Sequence, residues 1–149
     1  MELSPKEVRE LVLADHAALR VRLDLCKRAV NAAQTDSDAR QLRELLPSLL
    51  DHLSAHLDLE DQVLAPTLKT IDAWGPERAE RLDAEHREQR EWIAGCRGEL
   101  VNADGDVRRL LDQAVEMIDR IEDDMEHEER SVLDPRLLTD EIIQVDFGG

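Results

Sequence analysis

The chain of 149 residues carries 35 acidic and 19 basic side chains, for a formal charge of −16. Free duplex or single-stranded nucleic acid would be repelled by that charge unless basic residues clustered, and no basic cluster stands out. No apolar run is long enough to cross a bilayer and the N-terminus lacks a secretory signal pattern, so a cytoplasmic protein with no membrane or nucleic-acid partner is expected.

Leucine, alanine, valine and isoleucine are mixed with Glu, Asp and Arg throughout, and the aromatics are Trp74, Trp92 and Phe147 with no tyrosine. This composition suits helices and gives strands little support. The length suits one domain over 1–149, with a packed part about 5–135 and a tail 136–149. Cys26 and Cys96 form no CxxC unit and read as two buried, reduced thiols.

Ser4-Pro5-Lys6-Glu7 predicts a capped helix start, with proline at the first helical position and glutamate closing a capping box. Val8, Leu11, Val12, Leu19, Leu23 and Cys26 then recur at helical spacing, and this helix is expected to fade between Asn31 and Asp36. Asp36-Ser37-Asp38 can begin a second helix carrying Leu42, Leu45, Leu46, Leu49, Leu53, Leu57 and Leu64. Trp74-Gly75-Pro76 marks a break, after which Leu82, His86, Ile93 and Cys96 define a third helix ending before Asn102-Ala103-Asp104-Gly105-Asp106. The fourth runs on Leu110, Ala114, Met117, Ile118, Ile121, Met125 and Val132 until Pro135 ends or bends it. Four amphipathic helices with short connections predict an all-α, up-down-up-down antiparallel four-helix bundle, either a monomer or a homodimer.

A near-repeat runs through these helices. His16 precedes His56-Leu57-Asp58-Leu59-Glu60, and His86 precedes Asp124-Met125-Glu126-His127-Glu128. At about 100° per residue, His56 and Glu60 lie near −60° and −20° from Leu53, and Asp124 and Glu128 take the same angles from Ile121. The first and third helices also align, pairing Val12 with Leu82, His16 with His86, Arg20 with Arg90 and Cys26 with Cys96. Both hairpins thus set polar groups inside a leucine-rich stripe, where a lone buried carboxylate is costly and neighbouring carboxylates repel. Cations resolve both problems, and the mixture of imidazole and carboxylate suits iron, with manganese or zinc also open.

The candidate metal ligands are His16, His56, Glu60, His86, Asp124 and Glu128, with Glu60 and Glu128 placed to bridge two metals. Six protein ligands for two ions leave room for a bridging oxo or hydroxo group and an exchangeable position for oxygen, peroxide or nitric oxide. His127 is the competing choice for Asp124, but its phase near −120° from Ile121 turns it to the solvated flank. His52, one turn before His56, reads as support, and Asp61 and Glu129 face away at about +80°, where they can hydrogen-bond to neighbouring histidines. The opposing class is a metal-free or weakly metal-binding acidic helical protein-interaction domain.

Asp15-His16, His56-Leu57-Asp58-Leu59-Glu60-Asp61, Glu85-His86 and Met125-Glu126-His127-Glu128-Glu129 resemble, in order, the four helix signatures of the hemerythrin-like, HHE cation-binding family. The resemblance spans roughly Leu11 to Pro135. It implies a four-helix bundle with a non-haem diiron centre, in which His16, His56, Glu60, His86 and Glu128 take ligand roles. Members bind or sense oxygen, sense, store or transport iron, or act on peroxide or nitric oxide. Two positions depart from the pattern. Asp124 stands where the family usually has a histidine four residues before the last glutamate, and Arg90 stands where the oxygen-carrying branch has an extra histidine. A site richer in carboxylate favours ferric iron, so the expectation leans from oxygen carriage towards iron handling or reaction with small oxidants. Peroxide-consuming or ferroxidase-type activity is its enzymatic form.

Overall fold

The computed structural model describes residues 2–140 apart from Gln34 and Asp36. Four helices follow one another: α1 (Pro5–Ala32), α2 (Arg40–Ile71), α3 (Gly75–Asn102) and α4 (Val107–Arg130). The start of α1 is the expected capping box. Ser4 Oγ accepts from Glu7 N at 3.2 Å and Glu7 Oε1 accepts from Ser4 N at 3.1 Å, satisfying donors the helix cannot pair internally. Asp106 caps α4 by accepting from Arg109 N at 3.1 Å.

Two boundaries differ from the sequence expectation. α2 begins at Arg40 because the preceding segment forms a turn, with Asp38 N donating to Thr35 Oγ1 at 3.3 Å and Ala39 N to Thr35 O at 2.9 Å. The expected start at Asp36 falls on a residue outside those described. α4 ends at Arg130, short of Val132, because the Ser131 hydroxyl turns back to His127 O at 2.8 Å and Leu133 N closes onto Glu128 O at 3.0 Å. Leu133 therefore occupies the inner position expected for Val132, which is only partly buried. The tail continues to pack: Leu138 is buried and Asp140 Oδ1 accepts from Lys6 N at 3.0 Å. Pro47 and Pro66 lie inside α2 without ending it. Its apolar stripe from Leu42 to Leu68 is buried against the helices on either side, which compensates for what each proline removes from the helical ladder.

α2 packs against α1 and α3, and α4 closes the ring against the same two helices, giving the up-down-up-down, hemerythrin-like arrangement. α1 and α3 lie most extensively on α2, and the seams of α4 are looser. The apolar interior is divided in two. A larger cluster runs from Leu19 and Leu23 through Leu46, Leu49 and Leu50 to Met117 and Ile121, and a smaller one joins Val8, Val12, Leu64, Leu68, Leu82, Leu133 and Leu138. Between them lies a layer of buried polar side chains: His16, His56, Glu60 and His86. Both cysteines sit in the larger cluster as free thiols, and burial pushes each up to about 11.

Two glycines are required by geometry. Gly105 adopts φ 78° in the α3–α4 turn, a left-handed conformation open to glycine. Gly75 lets the α2–α3 turn close tightly, since a methyl group there would lie 2.0 Å from Leu68 O and 2.9 Å from Lys69 O. Gly75→Ala is therefore expected to lower stability by about 1–3 kcal/mol through backbone displacement. Gly95, inside α3 with nothing within 4 Å of an added Cβ, should respond oppositely. Gly95→Ala is expected to stabilise by about 0.5–1 kcal/mol. Urea unfolding of the two variants measures both signs.

Candidate metal centre

Each helix contributes to the polar layer. His56 and Glu60, one turn apart, share the inner face of α2; His16 comes from α1, His86 from α3 and Glu128 from α4. Donor atoms of His16, His56, Glu60 and Glu128 all lie within 4.8 Å of one another. His16 Nε2 donates to Glu128 Oε1 at 2.9 Å, while His56 Nε2 lies 3.4 Å from Glu60 Oε1 and 3.8 Å from Glu128 Oε1. His86 joins through Glu60, with Nε2 3.1 Å from its Oε1. Of the six sequence candidates, the structure brings these five together. Asp124 lines the same cavity but lies outside the close group; its side chain is 38% exposed and Arg120 Nε donates to it at 3.4 Å. His127 is exposed beside Arg78, Arg81 and Glu85, away from the centre.

The far nitrogen of every inner histidine is held by a carboxylate. His16 Nδ1 donates to Glu129 Oε2 at 2.9 Å, and Arg20 grips Glu129 through two nitrogens at 2.6 and 2.8 Å. His86 Nδ1 donates to Asp61 Oδ1 at 2.7 Å, and Arg90 holds the other Asp61 oxygen at 2.5 Å. These two Arg–carboxylate–His chains are counterparts in the repeat and confirm Asp61 and Glu129 as histidine partners. His56 Nδ1 donates to Asp15 Oδ2 at 2.6 Å, and Asp15 Oδ1 accepts from His52 Nε2 at 3.0 Å. Arg22 Nε donates to His52 Nδ1 at 2.8 Å. Sequence reasoning assigned Asp15 no such role. The available signal was its phase: one position before His16, it sits about 100° round α1, on the side that meets α2.

Such second partners fix ring orientation and aim all three Nε2 atoms inward. Without a cation, each imidazole has a carboxylate oxygen at both nitrogens and is favoured as imidazolium. Burial opposes that charge on His56, but Glu128 and Glu60 outweigh it and raise the ring to about 10. His16 and His86 are raised by the same balance. Burial and the adjacent Glu128 raise Glu60, whereas Glu128 is lowered despite burial by its neighbours Glu60, His16 and His56.

One observation tests whether a cation suits these residues. Glu60 Oε2 is buried and has no hydrogen-bond partner among the described residues. A buried carboxylate oxygen without a donor is costly, and a metal ion supplies the missing positive partner. The donor set of three imidazoles and two carboxylates fits a transition metal of the iron, manganese or zinc type. Beside it lies a cavity of about 20 Å³ lined by Leu53, Leu57, Ile121, Met125, Gln89 and Trp92 as well as the polar groups, room for about one water-sized molecule.

The hemerythrin HHE cation binding domain family matches residues 8–134. The chain belongs to that family. Comparison with curated proteins and with solved structures gave no match. Within this hemerythrin-type bundle the two unusual positions have clear local roles: Arg90 bonds to Asp61 and Asp58, and Asp124 pairs with Arg120.

A pH dependence follows for the metal-free protein. His56 is raised from an ordinary 6.5 to about 10, so its stabilising contribution is full below pH 6.5 and is lost as pH rises towards 10. Asp15, Asp61 and Glu129 are lowered, so theirs is lost as pH falls below the ordinary carboxylate range. Denaturant unfolding in chelator should show stability declining from pH 6.5 to 10, with a shallower decline in His56→Gln.

Proposed function

We propose that this chain is a non-haem diiron protein that senses or reacts with a small oxidant such as oxygen, peroxide or nitric oxide, or handles iron. The observation that carries this reading is the convergence of three Nε2 atoms, each fixed by a carboxylate at Nδ1, on two glutamates of which one has a bare buried oxygen. His16, His56, His86, Glu60 and Glu128 would hold the metal. Asp124 is proposed as the sixth ligand, reached by giving up its half-exposed contact with Arg120, an ion pair of a class worth about 0–1 kcal/mol. Bound iron would supply reversible one-electron chemistry and an affinity for small oxygen- and nitrogen-centred ligands.

The residues of the chain set the terms for that chemistry. Asp15, Asp61 and Glu129 keep the histidines oriented and take no direct part. Leucine, isoleucine and methionine side chains exclude bulk water and limit the cavity to small molecules. The carboxylate-rich centre favours the ferric state, which supports oxidant sensing or iron handling over reversible oxygen carriage. The acidic chain as a whole draws cations towards its surface.

Metal analysis of protein prepared without chelator tests the reading first. Near two irons per chain are expected, with diferric absorption appearing when anaerobically loaded ferrous protein meets oxygen. At a free iron concentration a hundred times Kd, metal should stabilise the fold by about 2.7 kcal/mol. Less than one bound metal per chain together with an unchanged melting temperature would refute it. Glu60→Ala is expected to abolish tight binding, and Asp61→Asn to weaken it by about 10–100-fold. Asp124→Ala should lower the metal content where Arg120→Ala does not; equal metal contents in the two variants remove Asp124 from the ligand set.

A further inference from the structure

The outward face of α1 carries apolar residues that nothing in the metal centre or the core uses. Leu11 is 40% exposed, Val21 64% and Leu25 41%, and the exposed Ala14 and Ala18 lie between them. The spacing of three, four, three and four residues draws these five into one stripe spanning about 80° of arc and about 21 Å of helix. It lies roughly 150° round α1 from the stripe of Val12, His16, Leu19 and Leu23 that faces the core. Isolated exposed hydrophobics are ordinary, but a seam at heptad spacing is the pattern by which one helix packs on another.

The repeat supplies an internal control. The pairing that sets His16 against His86 sets Leu11, Ala14, Ala18, Val21 and Leu25 against Arg81, Ala84, Glu88, Glu91 and Gly95 on α3, all exposed. The outer face of α3 is thus charged or small where that of α1 is apolar. Charge separates the helices in the same sense. α1 carries six Lys and Arg against four Asp and Glu, whereas each of the other three helices has more acidic than basic residues.

We infer that this face is a self-association surface, on which α1 of a second copy packs antiparallel about a two-fold axis near Ala18. The stripe is self-complementary in that arrangement. Leu11 of one copy meets Leu25 of the other, Ala14 meets Val21, and Ala18 adjoins its own counterpart, where a small side chain lets the backbones approach. Glu10 and Arg28 share one flank of the stripe at opposite ends, so each end of the seam pairs Glu10 with the other copy's Arg28. Arg28 reaches Asp24 of its own helix at 2.9 Å, but both are well exposed and that pair exchanges at little cost. α1 is also the helix on which two strongly acidic chains meet with least repulsion. A seam of one helix is small for a specific interface, so association is expected on the order of tens of micromolar.

Sedimentation velocity from about 10 µM to about 500 µM, a range bracketing that affinity, should show a monomer–dimer equilibrium. A monomer throughout that range overturns the inference. Val21→Glu with Leu25→Glu should abolish the dimer while helix content and metal content stay unchanged; a dimer that survives lies elsewhere and overturns it too. Arg28→Glu should weaken association by about tenfold or more, and adding Glu10→Arg should restore it. Failure of that restoration overturns the antiparallel two-fold. A nitroxide on Ala18→Cys, with Cys26 and Cys96 buried, reads the same point without altering a charge. An inter-copy distance below about 20 Å is expected for helices packed at about 8–10 Å, and a longer one overturns the register.

Discussion

The constraint on which the rest of the structure depends is Glu60, a carboxylate buried completely between two apolar clusters. An isolated carboxylate there would be driven to its neutral form or out of the core. Two imidazoles within 3.1 and 3.4 Å make the position tolerable against burial and a neighbouring glutamate, and they do so by importing further charge that needs partners of its own. Hence the outward succession of carboxylate, imidazole, second carboxylate and arginine that reaches the surface at Arg20, Arg22 and Arg90. Each shell is there because the one inside it is charged. Such a network is an expensive way to fill a core, since well-packed leucines would do it at no electrostatic cost. That expense is rational where the centre has to receive a cation.

The two halves of the bundle share this plan and then diverge at one quarter of it. Arg20, Glu129 and His16 repeat faithfully as Arg90, Asp61 and His86. The relay through Arg22, His52, Asp15 and His56 has no such copy. By the same spacings its counterparts are Trp92, Arg120, Glu85 and Asp124. Arg120 lies over the Trp92 ring at 5.1 Å and reaches Asp124, so three of those four residues form a different assembly. The replacement of one histidine by aspartate is therefore part of a coordinated change: an imidazole steadied by a neutral relay has become a carboxylate steadied by a cation. The α3–α4 seam, the loosest of the bundle, is where this change lies.

Much of this was legible in the sequence because helical phase is a rigid geometric rule. His16, His56, Glu60, His86 and Glu128 share inward phases, and packed helices leave inward polar groups nowhere to go but together. The phase argument also turned His127 to the solvated flank, where it lies exposed, and gave Asp61 and Glu129 their histidines. It failed where position is decided by contacts that periodicity does not carry. Asp124 has the inward phase of His56, yet Arg120 one turn earlier draws it towards the surface. Asp15 lies off the core stripe and reaches His56 from the side, across a helix interface. Val132 continued the apolar period, but a serine capping the last turn ended the helix first and brought Leu133 inward instead.

The origin of the inner side chains bears on the order in which the molecule comes into being. His56 and Glu60 belong to one helix and His86 to the next, but Glu128 and Glu129 lie on the last helix and grip His16 on the first, more than a hundred residues away. Contacts between successive helices close short loops and form readily, whereas the α1–α4 seam closes the longest loop of the chain. A chain emerging with only three helices would present an incomplete pocket, with its first histidine unanchored and one of the two central glutamates absent. The centre is thus a lock that only the finished bundle can turn, and occupancy would report that the two ends of the chain have met.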